Sequence, residues 1–168
     1  MSRFRNILFL LVAWAGVLSA SAQQMPQELQ QQLSNYLTQA DFSYVSEADV
    51  KVEGEGKFSV QDSCYVLDLG VMQIYSDGQK RWTVDKDAKE VYIESAKGSL
   101  AGEIAGYMLE DVKGLSSGGM VVVVRAADGT RLTLTIPRMK MTAKAEADYF
   151  RFSTSSLGKD WSITDLTN

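Results

Sequence analysis

The residues from Ile74 to Ile93, IYSDGQKRWTVDKDAKEVYI, constrain the fold more than any other stretch of the chain. Three short, apolar, β-prone runs are separated by Asp77-Gly78 and by Asp85-Lys86-Asp87, which are turn-forming residues at hairpin spacing. Glycine tolerates positive φ and aspartate tolerates the left-handed region, so both connections favour tight turns. The stretch predicts a three-stranded antiparallel meander.

The two faces of this meander differ in polarity. Trp82 and Val84 share one face of the middle strand, whereas Arg81, Thr83 and Asp85 share the other. A sheet with one apolar face must cover that face. The function therefore depends on what covers it.

The first 22 residues have the pattern of an export signal. Arg3 and Arg5 precede an uncharged run from Ile7 to Leu18, and Ala20-Ser21-Ala22 supplies small residues for cleavage after Ala22. The run is too short to cross a membrane comfortably, although a retained anchor is the alternative. We expect an exported chain with a single domain at residues 23–168, whose formal charge changes from −4 to −6 when the two arginines are removed. An acidic domain of this kind is a poor nucleic-acid binder.

Two segments have helical spacing. From Pro26 onward, Leu29, Leu33, Tyr36 and Leu37 form one stripe, which predicts an amphipathic helix packed on the sheet. A helix lying on a membrane surface is the alternative, but its polar face lacks the Lys and Arg that anionic lipids attract.

The second helical segment runs from Ser99 to Val112, with Leu100, Ile104 and Met108 on one side. Gly102 and Gly106 weaken this helix by roughly 1 kcal/mol each relative to alanine, so its order must come from packing. We predict a movable cover, or lid, over the sheet; an ordinary packed helix is the alternative.

The rest of the chain has the alternation of strands. Val50 to Val60 has apolar residues on even positions, with Gly54 and Gly56 on the same face. Further strands are predicted at Tyr65–Leu69, Val71–Tyr75, Met120–Arg125 and Arg131–Ile136, and around Met139, Met141, Phe150 and Phe152. About nine or ten strands with short connections predict a strongly curved sheet or a barrel.

The residues available for catalysis are few. The chain has no histidine, no phosphate-binding or dinucleotide-binding motif and no metal-ligand spacing. Cys64 is the single cysteine and is expected to be a small buried hydrophobe. We therefore expect no enzyme, no metal and no cofactor.

The distinctive feature of the sequence is the number of methionine and aromatic residues on faces that are expected to point inward. The flexible methionine side chains can fit partners of irregular or variable shape. The candidate lid residues are Leu100, Ile104 and Met108. The alternative is that the inward-pointing residues only fill a core, because a barrel of about eight strands is filled by its own side chains and a wider one leaves a cavity. The candidate residues for a ligand-binding cavity are Phe58, Tyr65, Leu67, Met72, Ile74, Trp82, Val84, Ile93, Leu134, Ile136, Phe150 and Phe152.

The run from Val52 to Ile93, with EGEGKFSV, IYSDGQKRWTVD and EVYI, resembles the outer-membrane lipoprotein carrier family, the LolA-like proteins of the Gram-negative envelope. The ending YFRFSTSSLGKDWSITDL is similar to that family's end, where a strand with two phenylalanines precedes a short final segment. The order of signal peptide, helix, strands, helix and strands also agrees.

This resemblance implies an α+β fold, an open (incomplete) antiparallel β-barrel of about nine to eleven strands with helices covering a hydrophobic cavity. It also implies a monomeric periplasmic chaperone that binds the acyl chains of lipoproteins or similar lipids for transfer to the outer membrane. The implied partners are an acylated lipoprotein, an inner-membrane transporter and an outer-membrane receptor.

The chain departs from the family at the position where, in family members, an arginine ties the lid shut. Family members commonly have a basic residue followed by proline after the first long strand, whereas this chain has Gln61-Asp62. A different amphiphilic ligand, or an interaction or sensor domain with a filled core, is therefore the alternative function.

Overall fold

The structure is a computed structural model that describes residues 31, 34–48, 50–96 and 107–167. Its strands form one sheet. Two short 3-10 helices, η1 (Ala147–Phe150) and η2 (Thr154–Ser156), precede the last strand. The strands are β1 (Leu37–Glu47), β2 (Lys51–Gln61), β3 (Cys64–Asp68), β4 (Met72–Ser76), β5 (Lys80–Asp85), β6 (Glu90–Ser95), β7 (Tyr107–Gly114), β8 (Met120–Ala126), β9 (Arg131–Ile136), β10 (Lys140–Thr142) and β11 (Ser162–Asp165).

The sheet has the strand order β11-β6-β5-β4-β3-β2-β1-β9-β8-β7, and β10 pairs with the beginning of β1. All described pairs are antiparallel except that of β11 with β6. The strands β7 and β11 are the two ends of this order and do not pair with each other, so the sheet is open.

The predicted fold class was wrong. The described chain forms one open and nearly all-antiparallel sheet, not an α+β barrel, and no α-helix in this part of the chain covers the sheet. Of the first predicted helix, only Gln31, Ser34 and Asn35 are described as helical, and Leu37 already begins β1. Leu29 and Leu33 lie outside the described residues.

The predicted lid helix was also wrong over its described residues, 107–112, which are extended. Met108 and Val112 belong to β7, which pairs with β8 with a bulge between Leu109 and Asp111. Met108 is 67% exposed, so it does not cover the sheet. Leu100 and Ile104 lie outside the described residues. The apolar residues of this segment have helical spacing, but its helix propensity is weak. Pairing with the valine-rich strand β8 therefore determines its conformation.

The meander from Ile74 to Ile93 was predicted correctly and forms β4, β5 and β6. The Asp77-Gly78 turn has Gly78 at φ 83°, as that type of turn requires. The predicted strands Met120–Arg125 and Arg131–Ile136 are present as β8 and β9, which pair with each other across the turn at Asp128-Gly129. The predicted strand around Phe150 and Phe152 is instead the η1 helix and the extended residues after it.

Candidate ligand-binding face

One side of the sheet, which we call the apolar face, carries the main hydrophobic core. Phe58 pairs with Leu67 and Leu67 with Ile74, so these residues of β2, β3 and β4 point to the same side. On the other side of β1, Tyr44 pairs with Leu134 of β9. The buried members of the apolar face are Ala40, Phe42, Tyr44, Phe58, Val60, Tyr65, Leu67, Met72, Ile74, Val122, Val124, Leu132, Leu134 and Ile136, with Val52, Leu69, Met120 and Met139 packed against them.

The structure divides the predicted cavity residues between two clusters. Those on the apolar face are Phe58, Tyr65, Leu67, Met72, Ile74, Leu134 and Ile136. Those in a second cluster are Trp82, Val84, Ile93 and Phe152. The strand pleat separates them, because Ile74 pairs with Thr83 whereas Trp82 pairs with Tyr75. Phe150 is 1% exposed and packs edge-on against the ring of Tyr149.

The prediction missed part of the apolar face. Phe42 and Tyr44 of β1 are buried there, and so are Val122 and Val124 of β8. A signal was present, because Ala40, Phe42 and Tyr44 alternate with polar residues at strand spacing. This alternation directly follows the helical pattern that ends at Leu37, and the helical pattern alone entered the prediction.

The apolar face becomes polar at β5 and β6. Thr83 pairs with both Ile74 and Tyr92, so these strands continue the same side of the sheet. Here Arg81 binds Glu94 at 2.6 Å, with 15% of the arginine side chain exposed. The Tyr92 hydroxyl donates to Glu90 at 2.7 Å, and this hydrogen bond raises the pKa of Tyr92.

The second cluster lies on the opposite face, under the C-terminal part of the chain. Trp82, Val84 and Val91 form its buried centre. The ring of Phe152 packs on Tyr75 with centroids 5.4 Å apart. Leu157 and Trp161 also pack against this cluster, and β11 then adds to the edge of the sheet. The C-terminal residues therefore provide cover for this cluster.

Asp77 anchors this C-terminal part to the β4–β5 turn. Its side chain, only 10% exposed, accepts hydrogen bonds from the amides of Gln79 (3.0 Å) and Lys80 (2.8 Å) and from Arg151 Nε (2.9 Å). Burial by itself raises the pKa of Asp77, but these three bonds outweigh it and lower the pKa below its usual value.

Gln61 and Asp62 also hold the C-terminal part of the chain. Gln61 is buried, its amide nitrogen donates to the Ala145 carbonyl at 3.2 Å, and its amide oxygen accepts from the Ala145 N–H at 2.8 Å. Asp62 binds Lys144 at 3.2 Å. Both therefore contact the connection between β10 and η1.

The described part of the chain contains no candidate metal site. No three or more His, Cys, Asp or Glu residues there are placed to hold a metal ion. Cys64 is half-buried, and burial raises the pKa of its thiol. Among the same residues, no helix is long and apolar enough to cross a membrane.

Comparisons with known proteins give a structural similarity and no family. No protein-family model matches the chain, and no curated protein matches it. Among solved structures, a similar chain is an uncharacterized conserved protein from Thermus thermophilus, with 12% sequence identity and a TM-score of 0.49. The match covers 84% of this chain and 99% of that one. A similarity at this level does not identify a function.

Proposed function

We propose that this protein is a periplasmic carrier that holds the acyl chains of a lipoprotein, or of a similar lipid, against the apolar face of its sheet. The observation that supports the proposal is the extent of this face. Apolar side chains run across six neighbouring strands, β4, β3, β2, β1, β9 and β8. These side chains are at most 9% exposed, so an acyl chain would have to enter between them and the residues that pack on them. There it would be surrounded by apolar side chains instead of water along its length.

The energetics suit reversible binding. Each buried methylene contributes roughly 0.8 kcal/mol. Burial of about ten methylenes would contribute about 8 kcal/mol, which corresponds to a dissociation constant on the order of 1 μM before the costs of ordering are subtracted. A carrier of this kind needs no covalent bond to its ligand, so the ligand can also be released.

The composition of the face suits ligands of varied shape. Met72 is buried in it, and Met120 and Met139 pack against its margin. A thioether side chain is flexible and polarizable, so it adapts to chains of different length or branching. At β5 and β6 the same side carries Arg81, Glu94 and Tyr92, where the polar part of an amphiphile can remain hydrated.

The location and partners belong to the same proposal. The sequence of residues 1–22 supports export, with cleavage after Ala22. The ligand would then be an acylated lipoprotein or lipid, received from an inner-membrane transporter and passed to an outer-membrane receptor. One chain carries the whole apolar face, so we propose that a monomer acts as the carrier.

A specific observation also favours the second candidate, an interaction or sensor domain with a filled core. Leu67, Ile74 and Val122, which lie on three different strands of the apolar face, are each 0% exposed, as in a packed core. In such a domain no acyl chain would enter, and function would depend on exposed residues or on a different amphiphile.

Two adjacent residues of β9 offer a matched test with a fluorescent fatty acid. Leu134, 1% exposed, belongs to the apolar face, whereas Thr135 points to the opposite side. The carrier proposal predicts that Leu134→Asp abolishes binding and that Thr135→Asp retains it. Leu134→Ala, checked for folding by circular dichroism, covers the case in which the aspartate variant unfolds. Unchanged binding by folded Leu134 variants would contradict the proposal.

A further inference from the structure

The ladder of β1 is interrupted on one side. The strand β10 pairs with Leu37–Gln39 and β9 with Ser43–Glu47, so residues 40–42 have no partner residue on that side within the described strands. The connection from Pro137 to Met139 lies between these two pairings. Because proline has no N–H to donate, Pro137 suits the end of the β9 ladder.

This connection is held in place by the β7–β8 turn. A Cβ atom built on Gly119 would overlap the backbone carbonyl oxygens of Ile136 and Pro137. The Ser117 hydroxyl donates to the Pro137 carbonyl at 2.6 Å. These contacts hold the backbone at Pro137 away from residues 40–42 of β1, so the interruption of the ladder is a fixed feature of the fold.

A groove of about 450 Å³, which we call the Tyr149 groove, lies at this interruption. Its polar lining includes Gln39, Lys57, Ser59, Arg138, Lys140 and Tyr149. A second depression of about 660 Å³ shares Asp41, Lys57 and Asp68 with it. The volume of the groove falls within the usual range for small-molecule sites.

Two hydroxyl groups are fixed in the groove. The oxygens of Ser59 and Tyr149 lie 2.8 Å apart, and the Gln39 amide nitrogen donates to Ser59 at 3.1 Å and to Tyr149 at 3.2 Å. One of the two hydroxyl protons forms the bond between the oxygens. The other proton can then be donated to a ligand, because a hydroxyl carries a single donor.

The charges in the groove are unevenly compensated. Asp41 lies 3.7 Å from Lys57, and Asp68 accepts hydrogen bonds from the Gly70 amide and from Gln73, both at 2.8 Å. Arg138 and Lys140 alternate along the other wall, and neither forms an ion pair with any residue that the structure describes. Because the donors to Asp68 are neutral, its charge remains, and the three cations and two carboxylates that line the groove give it a net charge of +1. Arg138 and Lys140 are thus free to bind an anion beside the two hydroxyls.

We propose that the Tyr149 groove binds a phosphate group carried by a small ligand. The guanidinium of Arg138 and the ammonium of Lys140 contact the phosphate oxygens, and the hydroxyl pair donates one further hydrogen bond. A phosphate accepts several hydrogen bonds, and arginine matches its geometry. The phosphate can belong to a free ester or to a phospholipid headgroup. The polar groups of the site belong to the side opposite the apolar face, since Gln39 pairs with both Ser59 and Lys140. Ala40, Phe58 and Met139 of the apolar face also line the groove.

The test is a titration of the purified protein with glycerol 3-phosphate, followed by amide chemical shifts. We expect saturable shifts at Ser59, Arg138, Lys140 and Tyr149. The double substitution R138A/K140A should weaken binding by about tenfold or more, because charge-assisted hydrogen bonds are lost. Vesicles of phosphatidylglycerol, tested by co-sedimentation, distinguish a lipid headgroup from a free ester as the source of the phosphate.

The double substitution K113A/K159A is the control, because it removes the same charge at two exposed positions outside the groove. It should leave binding unchanged. Vesicle binding that R138A/K140A alone abolishes, without binding of glycerol 3-phosphate, would support the site and identify the headgroup as its ligand. Binding of neither probe, or equal weakening by both double substitutions, would overturn the proposal.

Discussion

Tyr44 lies directly over Gly54 on the apolar face. The two residues pair across β1 and β2, and a Cβ atom built on Gly54 would lie 2.5 Å from the tyrosine hydroxyl oxygen. Phe42 covers Gly56 in the same way, with its Cζ atom 2.6 Å from the corresponding Cβ position. The glycines of β2 thus make room for aromatic rings that pack on bare backbone.

Gly56→Ala should therefore destabilise the protein, by about 1–3 kcal/mol. The added methyl group would meet Phe42 and also the Asp68 carbonyl oxygen, 2.8 Å away, which cannot move without disturbing β3. Gly114→Ala is the control, since nothing lies within 4 Å of its Cβ position. Urea denaturation measures both, and equal effects would contradict this role of Gly56.

Gln61→Ala should loosen the C-terminal part of the chain, because it removes both hydrogen bonds to Ala145. We expect a loss of about 1–3 kcal/mol and faster proteolysis near residues 143–149. Gln79→Ala, at an exposed position, should have no such effect. Cleavage as slow as in the unsubstituted protein would show that Gln61 does not hold this connection.

The stability contributed by Asp77 should depend on pH. Its pKa is lower in the folded protein than in the unfolded chain, so the ionised form favours folding. This contribution is complete above the unfolded pKa of about 4 and is lost as the pH falls through the lower folded value. The difference in stability between the unsubstituted protein and Asp77→Asn should therefore be largest at neutral pH and shrink in acid. A difference that is constant with pH would rule out this explanation.

Local alternation was enough to predict part of the sheet. The strands β4, β5 and β6 carry period-two patterns with turn residues between them, and both signals are short-range. Period-two alternation is present in β1 as well, at Ala40, Phe42 and Tyr44, but no strand was predicted there because a helical spacing ends at Leu37, where the strand begins. Nor was β7 predicted, because its conformation depends on pairing with β8, a non-local partner.

The candidate site was predicted only in part, for a related reason. The alternation of apolar and polar residues shows which side chains share a face of a strand, and it correctly placed Trp82 and Thr83 on opposite sides of β5. The alternation does not show which segment of the chain covers each face. The packing of Phe152 and Trp161 beside Trp82 depends on tertiary contacts of the C-terminal residues, so a sequence pattern could not assign Trp82 to a cluster separate from Ile74.

Native mass spectrometry of the protein, mixed with an acylated lipoprotein and separately with its unacylated form, tests the carrier proposal most directly. We predict a one-to-one complex with the acylated form alone, because the acyl chains would supply the apolar area that the face of Leu67, Ile74 and Leu134 can bury. A complex with both forms, or with neither, would contradict the proposal and favour the interaction or sensor domain.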